Sequence, residues 1–256
     1  MDYFGKNWQA VLKHNHLSSF DALWTVKTNW FEEPNIRRGG WSGVVKIPLK
    51  MDGNPVFIFL KRQENHLSKT WQHPISGIPT FQKEYTNLRR FHRLKIPTQE
   101  LIYYGSRVYD GNIQAALITK DLSGYFPLDK LLPDDKVGLV QSWQHRRLLL
   151  SAVAKVIHKM HQHHIQHNSL YPKHIFAKPL DTVWDVKLID LEKAKRRVFK
   201  NTAILRDLDT LRRHTANWTN KEQVYFFKAY VNESKLSPKS KKLWYKIQAR
   251  TLSKSK

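Results

Sequence analysis

Apolar positions alternate with polar ones through much of the first half of the chain and recur at helical spacing through the second. Gly43 to Leu49 and Val56 to Lys61 are apolar, β-branched runs on either side of Met51-Asp52-Gly53-Asn54, an arrangement that predicts a hairpin. The aromatic and β-branched stretch Leu23 to Phe31 predicts another strand ahead of it. After Pro79, Phe81, Tyr85, Leu88, Phe91 and Leu94 fall three or four apart, which predicts a helix that Pro97 closes. Leu101 to Tyr104 and Gln114 to Thr119 then predict two strands around Asp110-Gly111-Asn112.

Helical spacing dominates the rest. A polar passage from Lys120 to Gly138 leads to a long predicted helix, Trp143 to Gln162, with Leu149, Val153, Val156, Ile157 and Met160 in one stripe. An irregular segment, His163 to Lys173, precedes two short apolar runs, Ile175 to Ala177 and Val186 to Ile189. From Ile204 the pattern is helical again. Strands first and helices second, with a linker near residues 120–123, predict an α+β protein of two lobes, residues 1–122 and 123–256. No repeat or low-complexity segment is visible.

Composition narrows the class. The 256 residues include 9 Trp, 10 Tyr and 12 Phe and are 41% hydrophobic, which excludes intrinsic disorder. The longest apolar runs are too short to cross a bilayer. Met1-Asp2-Tyr3-Phe4-Gly5-Lys6 lacks the basic-then-apolar order of a secretory signal, so a cytoplasmic protein is expected. With no cysteine there is no disulfide, thiolate metal site or Cys nucleophile. Lys and Arg total 44 against 21 Asp and Glu, a net charge of +23 that points to an anionic partner. Nucleic acid, an anionic membrane face and a phosphorylated glycolipid all qualify.

Four features carry chemistry, in a meaningful order. Arg38-Gly39-Gly40-Trp41-Ser42-Gly43 is a Gly-rich turn entering a strand, where bare backbone N–H groups can approach an anion. By itself it reads equally as a β-turn. Lys61 ends an apolar strand, and Glu84, on the following helix, is its natural partner, unless both are surface charges. His167-Asn168-Ser169-Leu170-Tyr171-Pro172-Lys173-His174-Ile175 follows the long helix. Last comes Leu188-Ile189-Asp190-Leu191-Glu192, whose Asp190 reads as a metal ligand or as a helix N-cap.

Taken together, the order Gly-rich turn, strand Lys, helix Glu, His-led loop, strand-end Asp matches the order of parts in protein-kinase catalysis. The chain resembles the lipopolysaccharide kinase family of the protein-kinase-like fold, the Kdo and heptose kinases, in its InaA-like branch. The residues from His167 to Phe176 and from Leu188 to Ala194 carry the resemblance, and Arg206 to Leu211 resembles the helix that braces the catalytic loop. The resemblance implies an N-lobe of antiparallel sheet plus helix and a mainly helical C-lobe. It also implies Mg·ATP as cofactor and phosphoryl transfer to a sugar hydroxyl of a lipopolysaccharide-type glycolipid. Gly39, Gly40 and Gly43 would lie near the nucleotide, Lys61 would hold its α/β-phosphates, and Glu84 would hold Lys61. Asp190 would ligate Mg²⁺, with His174 at the position of the second metal ligand, and His167 would stiffen the loop. An anionic glycolipid or the inner-membrane surface is the implied partner.

Ser169 departs from the pattern, because it stands where the family's proton-orienting aspartate belongs and a neutral hydroxyl cannot act as a carboxylate does. Two readings follow: a phosphotransferase with a weakened base, and a pseudokinase that senses nucleotide or serves as a scaffold in envelope stress. A nucleic-acid-binding protein would fit the charge, but no helix-turn-helix, RNP, zinc-finger or KH signature occurs and the cations are spread along the chain, so no specific nucleic-acid partner is expected. His158, His161, His163, His164 and His167 invite a zinc reading but have neither carboxylate nor Cys to complete a set, so a packed or solvated cluster is expected. Lys235 to Lys256 predicts a basic amphipathic helix that packs Leu243 and Ile247 and turns its lysines toward anionic lipid.

Overall fold

A computed structural model describes residues 2–254 apart from 38, 52, 54, 70–74 and 76. Arg38 of the Gly-rich turn, Asp52 and Asn54 of the predicted hairpin turn, and the terminal Lys256 thus lie outside the described residues. The chain divides into two units, Met1–Arg90 with Gln99–Ser123, and Phe91–Thr98 with Gly124–Lys256. Among the described residues no helix is long and apolar enough to cross a membrane.

The first unit is built on β1 (Asp2–Phe4), α1 (Trp8–His14), α2 (Phe20–Thr25), β2 (Trp30–Arg37), β3 (Gly40–Leu49) and β4 (Val56–Glu64). Short strands β5 (Leu67–Ser68) and β6 (Ile78–Pro79) precede α3 (Thr80–Arg93), and β7 (Leu101–Tyr109) and β8 (Asn112–Lys120) follow. The six longer strands form one antiparallel sheet in the order β1-β7-β8-β4-β3-β2. Alternation decides its faces. Ile58 and Leu60 on β4, with Val45 and Ile47 on β3, join Leu12 of α1 and Leu23 of α2 in one buried cluster. Lys61, one residue out of phase, points to the opposite face.

One predicted strand is corrected. Leu23 to Thr25 belongs to helix α2, and the strand begins only at Trp30. Ser19 caps α2, its Oγ accepting from Ala22 N at 3.1 Å, so a local cap outweighed the aromatic content that suggested a strand. Arg62 then holds the helix end, donating from Nη1 to the carbonyls of Trp24 (2.6 Å) and Val26 (3.2 Å).

The second unit contains β9 (Phe126–Pro127), α4 (Leu128–Leu131), α5 (Trp143–Gln162), β10 (Ile165–Gln166), β11 (Ile175–Leu180), β12 (Val183–Leu188), β13 (Lys195–Arg196), α6 (Lys200–Arg213), α7 (Asn220–Val231) and α8 (Pro238–Lys254). Turns of 3-10 helix span Pro172–His174 and Leu191–Lys193. The predicted long helix coincides with α5, which buries Leu149, Val153, Ile157 and Met160 and leaves Val156 half-buried at the edge of the stripe. The two short apolar runs pair as the β11–β12 hairpin. Glu222 at the start of α7 closes a capping box with Thr219 and also accepts from Arg146 Nη1 of α5 at 2.6 Å, fixing α7 on α5.

The C-terminal helix forms, with a modification. Ile247 is buried, but two of its cations turn inward: Arg250 Nε (3.2 Å) and Lys254 Nζ (3.3 Å) converge on Asp209 of α6, a fully buried carboxylate. Lys239, Lys241, Lys242 and Lys246 remain exposed.

Candidate functional site

The sequence-predicted site residues fall into two sets, one in each unit. In the first unit, β4 carries Lys61 three residues before its end, and α3 places Glu84 against it. The Nζ to Oε1 distance is 2.7 Å, with Lys61 partly accessible and the Glu84 side chain only 4% exposed. A carboxylate this well buried is stable as an anion only beside a cation. The pair therefore holds the Lys61 ammonium in a set place at the sheet surface.

The Gly-rich turn finds a reason for two of its glycines inside the first unit. A Cβ on Gly40 would sit 2.1 Å from the Glu64 carbonyl oxygen, and one on Gly43 would strike the Trp30 ring at 2.7 Å. Close packing of β3 against β4 and β2 thus requires both. Gly39 alone takes a left-handed backbone, φ 76°, with open space around its Cβ position.

In the second unit the His-led loop and the Asp190 segment are stitched together. Ile189 N donates to the His174 carbonyl (3.0 Å), and His167 Nε2 donates to the Ile189 carbonyl (3.0 Å). His174 Nδ1 donates to the Ser169 carbonyl at 2.9 Å and lies 3.3 Å from Asp190 Oδ2. Because a carbonyl only accepts, that bond puts a proton on His174 Nδ1. Asp190 occupies the N-cap position of a 3-10 turn, yet its side chain makes no cap bond. Its backbone is left-handed, φ 58° and ψ 59°, a conformation that costs a non-glycine residue about 1–3 kcal/mol and collects at functional sites. Ser169 is 1% exposed. Thr98 supports the segment by donating from Oγ1 to the Leu188 carbonyl at 2.6 Å.

Beneath this loop lies a carboxylate on the helix that the sequence marks as bracing it. Asp207 on α6 is fully buried and accepts from His167 N (2.6 Å), Asn168 N (2.9 Å) and His161 Nε2 (3.2 Å). His161 on α5 in turn uses Nδ1 to accept from the Tyr230 hydroxyl of α7 at 2.9 Å. Burial, with the Asp207 charge adding to it, raises the Tyr230 pKa and keeps its hydroxyl a donor. Tyr230, His161 and Asp207 form one chain of hydrogen bonds that ends on the backbone of the His-led loop. The Asp207 motif was legible; the partnership of His161 and Tyr230, 69 residues apart, was not. The histidine rings of the suspected cluster therefore diverge, His161 turning onto Asp207, His167 onto the Ile189 carbonyl, and His164 onto the Val198 carbonyl at 3.2 Å.

His167 is neutral. Burial pushes its pKa down, only partly offset by Asp207 and Asp190, while its buried Nδ1 has no hydrogen-bond partner among the described residues. Burial lowers His158 and His214 as well. In acid the unfolded chain takes up protons that these folded histidines refuse, so their contribution is complete above the ordinary histidine value and is lost as pH falls. Thermal denaturation should show the melting temperature dropping from about pH 7 to about pH 5, with a flatter slope in His167→Gln. An unchanged slope in that variant would contradict the assignment.

The donor set discriminates between metals. Among the described residues no group of three or more His, Asp or Glu gathers for a metal. Asp190, with 39% of its side chain exposed, offers hard carboxylate oxygens, which fits a cation that keeps most of its shell from water and phosphate oxygens. Imidazole is a poor ligand for such a cation, so His174 is better suited to a phosphate, a water or Asp190 itself.

Residues 21–230 match the family described as lipopolysaccharide kinase (Kdo/WaaP). Protein InaA of Escherichia coli (strain K12) is 28% identical over 212 residues, 81% of this chain and 95% of that protein. Among solved structures, WaaP in complex with acyl carrier protein superposes with a TM-score of 0.68 at 18% identity, covering 99% of this chain and 98% of that one. At that identity the likeness speaks for the fold, which is α+β and protein-kinase-like.

Proposed function

This chain belongs to the lipopolysaccharide kinase (Kdo/WaaP) family, and from that premise we propose that it is an ATP-dependent phosphotransferase acting on a sugar hydroxyl of an anionic glycolipid. The observation that carries the reading is the Lys61–Glu84 pair at 2.7 Å, a strand lysine held by a buried helix carboxylate. In this reading Lys61 binds the α/β-phosphates and Glu84 keeps its ammonium in place. The Gly39 turn supplies backbone N–H groups near the phosphates. Asp190, with its exposed carboxylate, holds Mg²⁺, which neutralises charge on the phosphates. His174 orients Asp190 and caps the Ser169 carbonyl, while His167 and Asp207 keep the loop rigid. The net charge of +23 draws the chain to an anionic, membrane-embedded acceptor and so to the inner face of a membrane.

The test is calorimetry of Mg·ATP binding to the wild type and to Asp190→Ala, followed by transfer assays on core glycolipid. Binding should be saturable, require the metal, and be lost in the variant. A wild type that binds no nucleotide would end this reading. Ser169 favours a second one: a neutral, 1%-exposed side chain at the proton-orienting position suits a pseudokinase that binds nucleotide as a sensor or scaffold.

A further inference from the structure

Val198 and Phe199 are adjacent, 84% and 74% exposed, and join β13 to α6. Lone exposed apolar residues need no explanation, but two bulky neighbours held outward among cations do. Residues 193–200 contain Lys193, Lys195, Arg196, Arg197 and Lys200 and no acid, the nearest in sequence being Glu192.

The pair stands on a rigid base. β13 pairs with β10, Ile165 opposite Arg196 and Gln166 opposite Lys195. Arg197 N donates to the His164 carbonyl (2.8 Å), and His164 Nδ1 donates to the Val198 carbonyl (3.2 Å). Arg197 Nε donates to Gln166 Oε1 at 2.7 Å, a neutral partner. Every one of these bonds runs to residues 164–166, and the next residue is His167. The exposed pair is therefore built onto the root of the loop that carries Ser169 and His174.

We propose that Val198 and Phe199 form a membrane-docking ridge that inserts into an anionic bilayer and presents the His-led loop to a lipid-borne acceptor. Two apolar side chains are too small a surface for a stable protein interface but suit shallow insertion at the headgroup boundary. Five cations in eight residues supply the attraction to anionic headgroups. The proposal rests on the glycolipid reading for the purpose of docking. Docking itself needs no nucleotide, so the two readings fail separately.

The chain has no cysteine, so Val198→Cys gives a single attachment point for an environment-sensitive fluorophore, with Lys242→Cys on α8 as the comparison. Without ATP, vesicles of equimolar phosphatidylglycerol and phosphatidylcholine should blue-shift the label at 198 more than that at 242. Phosphatidylcholine alone and soluble heparin should shift neither. In co-sedimentation, Val198→Ser with Phe199→Ser should bind the anionic vesicles at least about tenfold more weakly than wild type. Serine at 199 is a favourable N-cap for α6, so this variant keeps the fold, which its melting curve will verify. No shift at 198 while the protein still sediments with vesicles would overturn the ridge. So would an equal shift on heparin, or the absence of any binding to anionic vesicles.

Discussion

Replacing Ser169 with aspartate should raise phosphoryl transfer from ATP by about 10²–10⁴-fold, the range over which a positioned general base contributes. The scaffold for that carboxylate is in place. The backbone of residue 169 is fixed by its carbonyl, which accepts from His174 Nδ1 (2.9 Å) and Tyr171 N (2.8 Å), while Asp207 holds the two residues before it. Phosphoryl transfer depends mostly on positioning and electrostatics, so a slow wild-type rate is compatible with a missing base. Single-turnover transfer to purified core glycolipid measures the gain. Because residue 169 is 1% exposed, a melting curve must accompany the assay, a buried carboxylate being costly unless it is paired. A folded Ser169→Asp protein with no gain would leave the nucleotide-sensing scaffold as the better reading.

Asp207→Ala should be the most damaging single substitution for stability. It removes the acceptor of three buried donors: His167 N, Asn168 N and His161 Nε2. Loss of one partner from a buried charged network costs about 3–5 kcal/mol, which corresponds to a fall in melting temperature of about 6–20 °C for a protein of this size. Tyr230→Phe removes only the hydroxyl that serves His161 Nδ1 and should cost about 1–3 kcal/mol. A loss at Asp207 no larger than at Tyr230 would mean that the loop does not hang on this carboxylate. Nucleotide binding in the two variants then separates rigidity of the loop from survival of the fold.

Much of this protein was legible in its residues because the relevant physics is local. The stripe on α5, the strands around Asp110-Gly111-Asn112 and the helix after Pro79 follow from periodicity and turn chemistry between near neighbours. The order of motifs that marks the family is likewise a property of the linear chain. Local signals also explain the one misread element: Ser19 and Asp21 mark the start of α2, and the aromatic residues after them outweighed that mark.

What the linear chain left open depends on residues brought together from far apart. That Lys61 and Glu84 pair is a matter of strand phase and of where α3 lies on the sheet. That Gly40 and Gly43 serve packing depends on Glu64 and Trp30 arriving above them. The link from Tyr230 through His161 to Asp207 joins three helices, and Asp209 draws Arg250 and Lys254 inward from a helix whose cations read as facing outward. Residue types and their periodicity determine which elements form, since the energies involved act over a few residues. Which charges are buried, and against what, is decided only when the elements pack, because desolvation and pairing act on neighbours in space rather than in sequence.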